Sequence, residues 1–394
     1  MSSVVAVGDV RVYRDEPEAT FVHVRDIIKG ADIAFCQSES AYSDKGSMGS
    51  SGPRGAAPID LRGYPAFAAA GFDVVSMASN HIMDWGRDAL LDAIDRMRRD
   101  GMHPVGAGKD IEEARQPVIL DRNGTKIAFL AYCSVAPVGY YAVPKRAGVA
   151  PMRGITHYEM LENDQPGTPC EIMSWPLPRD LKSLVDDIRR VRQQADVVAV
   201  SLHWGVHFIR AMIADYQPVV AHAAIDAGAD IIIGHHPHIL KGVEMYKGKA
   251  IFYSIGNFAI DKAAGMAGDT PWKRTRQHIF KEHYHVVEHE PEAIGDAIGG
   301  FQDDRQYSMI AKFTVENKQI NQVSYIPIII NQQNQPVPVS PSDIKGQEVT
   351  RYLEDVTREA NLNATFRVVG NEVVIEARDE GAKQMNKKQL AAHG

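Results

Sequence analysis

The chain is 394 residues long, with 44% hydrophobic and 24% charged residues, an ordinary globular composition with ample length for a large core. Its formal net charge of −7 argues against a nonspecific nucleic-acid binder, which needs a basic surface. The three cysteines, Cys36, Cys133 and Cys170, are too few and too widely spaced for a disulfide framework or a zinc ribbon. No apolar run reaches the roughly 18–20 residues that span a bilayer, and a strand at 4–7 leaves no room for a leader ahead of it. The expectation is a cytoplasmic protein in a reducing compartment, with no membrane partner.

In chain order, residues 3–7 are a short β-branched run ending at Gly8-Asp9. Residues 21–29 read as a helix, 33–36 as a buried strand ending in Gln37-Ser38-Glu39, and 43–58 as a Gly/Ser-rich loop. A third strand at 72–77 precedes Asn80-His81. Residues 87–100 form an amphipathic helix, with Ala89, Leu90, Ala93, Ile94 and Met97 at the 3.6-residue period and Gly101 as its stop. A strand at 126–133 leads into 134–178, rich in Pro and Gly and poor in periodicity, which reads as a long irregular insertion or lid.

A helix at 181–191 and a strand at 197–202 lead to His203-Trp204-Gly205. A small-residue helix at 218–227 and a strand at 230–233 lead to Gly234-His235-His236-Pro237-His238. A hairpin follows over 243–254, turned by Lys247-Gly248-Lys249. Residues 262–306 are polar and irregular, and a further hairpin spans 309–330. The end of the chain holds a helix at 349–359, a small hairpin at 365–376 and a tail that frays. The order is α/β at first and then mostly β, which fits helices on both sides of two packed sheets. Two units are expected: a main domain over 1–340, with insertions at 134–178 and 262–306, and a small helix–hairpin appendage at 341–394.

Residues of metal-ligand type recur directly after the buried strands: Asp9, Glu39, Asn80 with His81, His203, and the cluster His235, His236 and His238. Ligands of open α/β folds bind beyond the carboxyl ends of the strands, so distant segments can converge these side chains on one point. Two carboxylates, an amide oxygen and several imidazoles suit Mn, Fe or Zn, and a carboxylate can bridge two ions about 3.5–4 Å apart. Singly, each residue has a plainer reading: Asp9 as a helix N-cap, Glu39 as a solvated loop acid, Asn80 as a turn residue. Three histidines in four residues after Ile231-Ile232-Ile233 are harder to place in a core without something to bind. His207, four residues after His203, is a candidate for the same pocket. His222 reads as packing, and His278, His283 and His285 as surface. The chain has no Walker-type phosphate loop, dinucleotide fingerprint or nucleophile elbow.

Taken in order, Gly8-Asp9, Glu39, Ser79-Asn80-His81 with Asp84-x-Gly86, His203-Trp204-Gly205, His236-Pro237-His238 and Ser254-Ile255-Gly256-Asn257-Phe258 resemble the poly-γ-glutamate capsule synthesis (CapA-type) family. That family belongs to the calcineurin-like metallophosphoesterase superfamily. The resemblance covers roughly residues 3–262. It implies a four-layer α/β/β/α sandwich with two divalent metal ions (Mn, Zn or Fe). It puts Asp9 and His238 on one ion, Asn80, His203 and His236 on the other, and Glu39 between them. His81 matches the catalytic histidine that stabilises the transition state or protonates the leaving group. Arg54 matches a substrate-facing arginine, suited to a carboxylate or phosphate. The chain departs from the pattern at Arg11, which takes a position often held by a metal-ligating histidine and is reassigned to the substrate. It departs again at His207, where many relatives carry Glu, and His207 is a second catalytic candidate.

The resulting expectation is a dinuclear metallohydrolase of a small-molecule or peptide-like substrate, acidic ones included, attacking an amide, lactam, γ-glutamyl or ester bond. A phosphoesterase, a metal-dependent epimerase and a non-catalytic accessory protein of poly-γ-glutamate synthesis stay open beside it. Substrate, metal identity and oligomeric state are not legible in the sequence.

Overall fold

A computed structural model describes residues 1–47, 60–160, 170–261 and 302–378. Arg54, the three histidines of the 278–285 stretch, most of the 262–306 segment and the C-terminal tail lie outside the described residues.

Two β-sheets pack face to face. The first runs in the order Ala364–Val369, Glu372–Ala377, Gln319–Ile330, Tyr307–Glu316, Ser2–Arg11, Ile33–Ser38, Val74–Ser76, His103–Val105. The short strand Asn257–Ile260 also pairs with Ser2–Arg11. The second runs Val243–Tyr246, Lys249–Phe252, Ile231–His235, Val197–His203, Thr125–Cys133, Val118–Arg122. Around the site the strands are parallel in both sheets, so their carboxyl ends share one edge.

The two-residue period of a strand divides the second sheet. In Thr125–Cys133, Ile127, Phe129, Ala131 and Cys133 face the first sheet, where Phe129 stacks on Phe35 at 5.7 Å. The alternate residues Ala128, Leu130 and Tyr132 face outward, against Leu184 and Ile188 of the helix Pro178–Arg192 and Val220 and Ala224 of Tyr216–Ala227. Both faces are apolar, so the strands read as continuous hydrophobic runs. On the first sheet, Gly86–Arg99 buries Ala89, Leu90, Ala93, Ile94 and Met97, the stripe its periodicity predicts. The result is the α/β/β/α sandwich expected.

Several expectations change in detail. The first strand does not stop at Gly8 but continues to Arg11, with a shift in pairing between Asp9 and Val10. Asp9 therefore sits within a strand, and a helix N-cap role is excluded. The helix expected over 21–29 is confined to Arg25–Lys29. The segment 134–178 is not irregular throughout: Gly154–Met160 and Cys170–Pro176 form an antiparallel hairpin. Its exposed positions, such as Tyr158, Met173 and Trp175, hide the inside–outside alternation that marks a strand. The C-terminal helix and hairpin are not an appendage. The hairpin extends the first sheet through Ser324–Val374 and Tyr325–Val373 pairing, and Ile344–Glu359 buries Val349, Leu353 and Val356 in the common core.

One close approach fixes how the sheet edge meets the metal-ligand residues. A Cβ at Gly8 would lie 2.0 Å from the Gly256 carbonyl oxygen, and Asp9 N donates to that same oxygen at 3.1 Å. Gly8→Ala should therefore cost about 1–3 kcal/mol through overpacking, read as a lower urea midpoint with an unchanged slope.

Candidate metal centre

Three adjacent parallel strands of the first sheet deliver the acidic side. Asp9 lies near the end of Ser2–Arg11, Glu39 directly follows Ile33–Ser38, and Asn80 lies four residues beyond Val74–Ser76. Asp9 pairs with Gln37, and Gln37 with Ser76, which places the three ends side by side. The second sheet delivers the imidazoles. His203 and His235 end neighbouring strands and are register partners, with His236 and His238 just beyond.

These groups meet at one point. Ligand atoms of Asp9, Glu39 and His203 lie within 4.8 Å of one another, all three residues buried. His203 Nε2 is 3.3 Å from Glu39 Oε1 and 2.8 Å from Asn80 Oδ1. His238 Nδ1 is 3.4 Å from Asp9 Oδ2, and His235 Nδ1 is 3.5 Å from Asp9 Oδ1. The His236 backbone N–H donates to Asp9 Oδ2 at 3.2 Å, and its ring lies 5.0 Å from that of His203. All six ligand candidates named from the resemblance are thus brought together. His207 joins them, its ring 3.7 Å from His236 and 5.2 Å from His238. Arg11 lies near enough to lower the pKa of both Asp9 and Glu39.

The donor set fits a divalent cation. Asp9 Oδ1, Glu39 Oε2, His236 Nδ1 and both ring nitrogens of His235 are buried without a hydrogen-bond partner. Buried polar atoms are nearly always paired, and orphaned carboxylate oxygens facing imidazoles are the chemistry a Mn, Fe or Zn ion satisfies. Without that charge, burial pushes the Asp9 and Glu39 carboxyls up to about 7. Burial likewise pushes His235 and His236 down to about 3, and His203 and His238 well below the usual imidazole range. The backbone is also held out of its ordinary range: His236 has φ 95° and His238 φ 61°, strain of the kind that persists where surrounding structure over-determines a site.

His81 stands at the rim. Its Nδ1 lies 2.9 Å from Asp84 Oδ2, and Asp84 Oδ1 accepts from the Tyr140 hydroxyl at 3.1 Å. Ser79 links this turn to the centre: its hydroxyl donates to Glu39 Oε1 at 2.9 Å and accepts from His81 N at 3.1 Å. Asn257 Oδ1 lies 2.7 Å from His238 Nδ1. The segment carrying His207 is pinned from below by Lys241, a fully buried residue whose ammonium donates to the Ile209 carbonyl. Sequence reasoning assigned no role to Tyr140 or Lys241; it placed His235 in the metal-ligand-type cluster and Asn257 in a motif, without giving either a partner. Asp84 carried a signal, since it lies one turn after His81. Asn257 carried one in the Ser254-Ile255-Gly256-Asn257-Phe258 motif; Lys241 carried none, because only the pairing of distant strands brings it to the site.

The site defines a class of protein in which two packed sheets bring buried carboxylates and imidazoles together at the carboxyl ends of their strands. More particularly, the chain belongs to the bacterial capsule synthesis protein family PGA_cap, whose model matches residues 3–262. It is 32% identical over 216 residues to the PGA biosynthesis protein CapA of Bacillus subtilis, covering 55% of this chain and 47% of that protein. The chain thus spans about half the length of such curated relatives. It is 26% identical over 348 residues to the uncharacterized protein y4sH of Sinorhizobium fredii, covering 75% and 71%. Among solved structures it is similar to the calcineurin-like phosphoesterase YfkN of Bacillus subtilis, at 14% identity and a TM-score of 0.37 over 91% of this chain and 97% of that one. Among the described residues no helix is long and apolar enough to cross a membrane.

The shifted groups set a pH dependence for the metal-free protein. A carboxyl raised from about 4 to about 7 binds an extra proton when folded, so it favours folding in acid and loses that contribution as pH rises to 7. A histidine lowered from 6.5 to about 3 does the opposite: its contribution is present above pH 6.5 and lost as pH falls towards 3. Four lowered imidazoles outnumber two raised carboxyls. Stability should therefore fall on acidification from pH 7 to pH 4, with a slope of order 1.4 kcal/mol per pH unit for each uncompensated proton. Urea midpoints of the chelator-treated protein across this range check the sign; a midpoint that rises in acid contradicts it.

Proposed function

We propose that this protein is a dinuclear metal-dependent hydrolase that opens an amide, lactam, γ-glutamyl or ester bond of a small or peptide-like substrate. The observation that carries the reading is the convergence of buried Asp9, Glu39 and His203 ligand atoms within 4.8 Å, with carboxylate oxygens left unpaired. Asp9 and His238 would hold one ion and Asn80, His203 and His236 the other, with Glu39 between. Divalent ions of the Mn, Zn or Fe kind supply Lewis acidity and lower the pKa of water.

The remaining work falls to the chain's own side chains. The Asp84 carboxylate holds His81 through Nδ1 at 2.9 Å, which fixes the ring's tautomer and leaves Nε2 to take up a proton, forming the imidazolium, and then pass it to the leaving group. His207, its ring 3.7 Å from that of His236, borders the same centre and is the second group suited to proton transfer. Arg11, whose Nε is buried without a partner, is suited to hold a substrate carboxylate or phosphate, which keeps a phosphoester within reach. The same site with His207 as base would suit an epimerase.

A second reading is favoured by the relatives' names. One similar protein of Mycobacterium tuberculosis is called a probable polyglutamine synthesis accessory protein. In that reading the centre binds an acidic chain without turning it over.

Metal analysis of protein purified without added metal or chelator tests the reading. The wild type should carry close to two ions per chain and His236→Ala clearly fewer. His81→Ala should keep its metal and lose about 10²–10⁴-fold in turnover. A chain that binds no Mn, Zn or Fe even on incubation removes the hydrolase, and metal without turnover on amide, ester and phosphoester panels moves the weight to the accessory protein.

A further inference from the structure

A cleft of about 220 Å³ opens between the 154–176 hairpin and the 205–216 segment. It shares a wall with the metal centre. Gly205 and Val206 line it, while His203 just before them is 3.3 Å from Glu39 and the ring of His207 just after them is 3.7 Å from that of His236. Ser134, also lining the cleft, is bonded through its backbone N–H to the His203 carbonyl at 2.9 Å. On the hairpin, the side chains that line it are Thr156, Ile172 and Ser174, the face that alternation along the two strands places together.

The chemistry of the lining is distinctive. Val135, Ile172, Val206, Met212 and Ile213 supply apolar walls, and among the described residues no Lys, Arg or His lines the cleft. Its polar atoms are largely engaged already. The Ser134 hydroxyl donates to the Met152 carbonyl at 2.5 Å, the Tyr216 hydroxyl accepts from Gly205 N at 2.8 Å, and Asp215 Oδ2 accepts from Ser174 N at 2.9 Å. Among the described residues Asp215 is the one carboxylate of the lining and no cation faces it, so an anion entering here meets a like charge. The volume is below the roughly 300–1,000 Å³ of a cleft that holds an entire drug-sized ligand, and suits one appended group.

We infer that this cleft is a ligand subsite for an uncharged, aliphatic group, carried next to the bond that is held at the metal centre. The inference rests on the metal-centre reading only for what the group is attached to. It divides recognition in two: anionic parts of the ligand lie on the Arg11 side, and a neutral branched alkyl or acyl group lies against Ile172, Val206 and Met212. A ligand that is charged at every repeat would leave the cleft empty.

The test is a methyl-NMR titration of the full chain, as purified, labelled at its methionine methyl groups. Isovaleramide and isovalerate are the probes, of one shape and opposite charge state. The Met212 methyl, assigned with Met212→Leu, should move saturably with isovaleramide and at least about tenfold more weakly with isovalerate. The core methyl of Met97 should stay still. Ile172→Arg, at a position already exposed on the hairpin, should fold normally, weaken isovaleramide and admit isovalerate. No movement at Met212, equal response to both probes, or all methyls moving together would each overturn the subsite. Metal content of the same sample is read separately. Selective movement at Met212 in a metal-free chain would sink the metal centre and leave the subsite standing; two ions with a silent Met212 would do the reverse.

Discussion

Two carboxylates, Asp9 and Glu39, are buried with no exposed surface in the company of four imidazoles. A carboxylate taken out of water must be protonated, paired or bound to a metal, and among the described residues no lysine or arginine is bonded to either of them. Most of what is unusual in this molecule follows from that constraint. The left-handed backbone at His236 and His238, the missing Cβ at Gly8 and the unpaired oxygens at the centre all serve to hold donors around a point where a cation would stabilise them.

The sandwich supplies the rigidity such an arrangement needs. Neither sheet alone carries a complete ligand set: the first provides carboxylates and an amide, the second imidazoles. The face-to-face packing seen at Phe35 and Phe129 is therefore what assembles the site, and the site edge is where both sheets present their strand ends. Parts far from the chemistry take part in this. The C-terminal helix reaches the segment behind His207 through Glu359, which pairs with Arg210 at 3.0 Å, and Arg210 also lies over the Tyr352 ring. The C-terminal region is thus continuous with the fold and braces the loop that walls the centre.

That loop has two faces. His207 turns to the metal-ligand histidines, while Val206 and Met212 turn to an apolar cleft with no cation among the described residues. Arg11 is close enough for its charge to act on Asp9 and Glu39 and is not part of the cleft lining. A ligand spanning the site meets a positive group on one flank and a neutral, aliphatic surface on the other. The capsule synthesis family model matches residues 3–262, the span that holds both the carboxylate–imidazole centre and the residues of its flanks.

Much of the centre was legible before any coordinates. Buried strands announce themselves as apolar runs, and a polar residue directly after one is constrained to the edge of a sheet, so Asp9, Glu39, Asn80, His203, His236 and His238 stood out from local pattern and motif order alone. The helix Gly86–Arg99 was legible for the same reason, since its apolar stripe needs only the period of the chain. What local pattern does not carry is partnership across the fold. The approach of Gly8 to Gly256, the Asn257 contact to His238 and the buried Lys241 under Ile209 depend on strands far apart in sequence. The hairpin Gly154–Met160/Cys170–Pro176 escaped because both of its faces carry exposed apolar and polar residues, which erases alternation. The C-terminal hairpin was seen, but its attachment to the first sheet was not, because backbone pairing between distant strands has no side-chain signature. Local pattern thus selects the residues that end at a sheet edge, because burial and strand period act over a few residues; the register at which they meet and the neighbours that close around them come from pairing between distant strands.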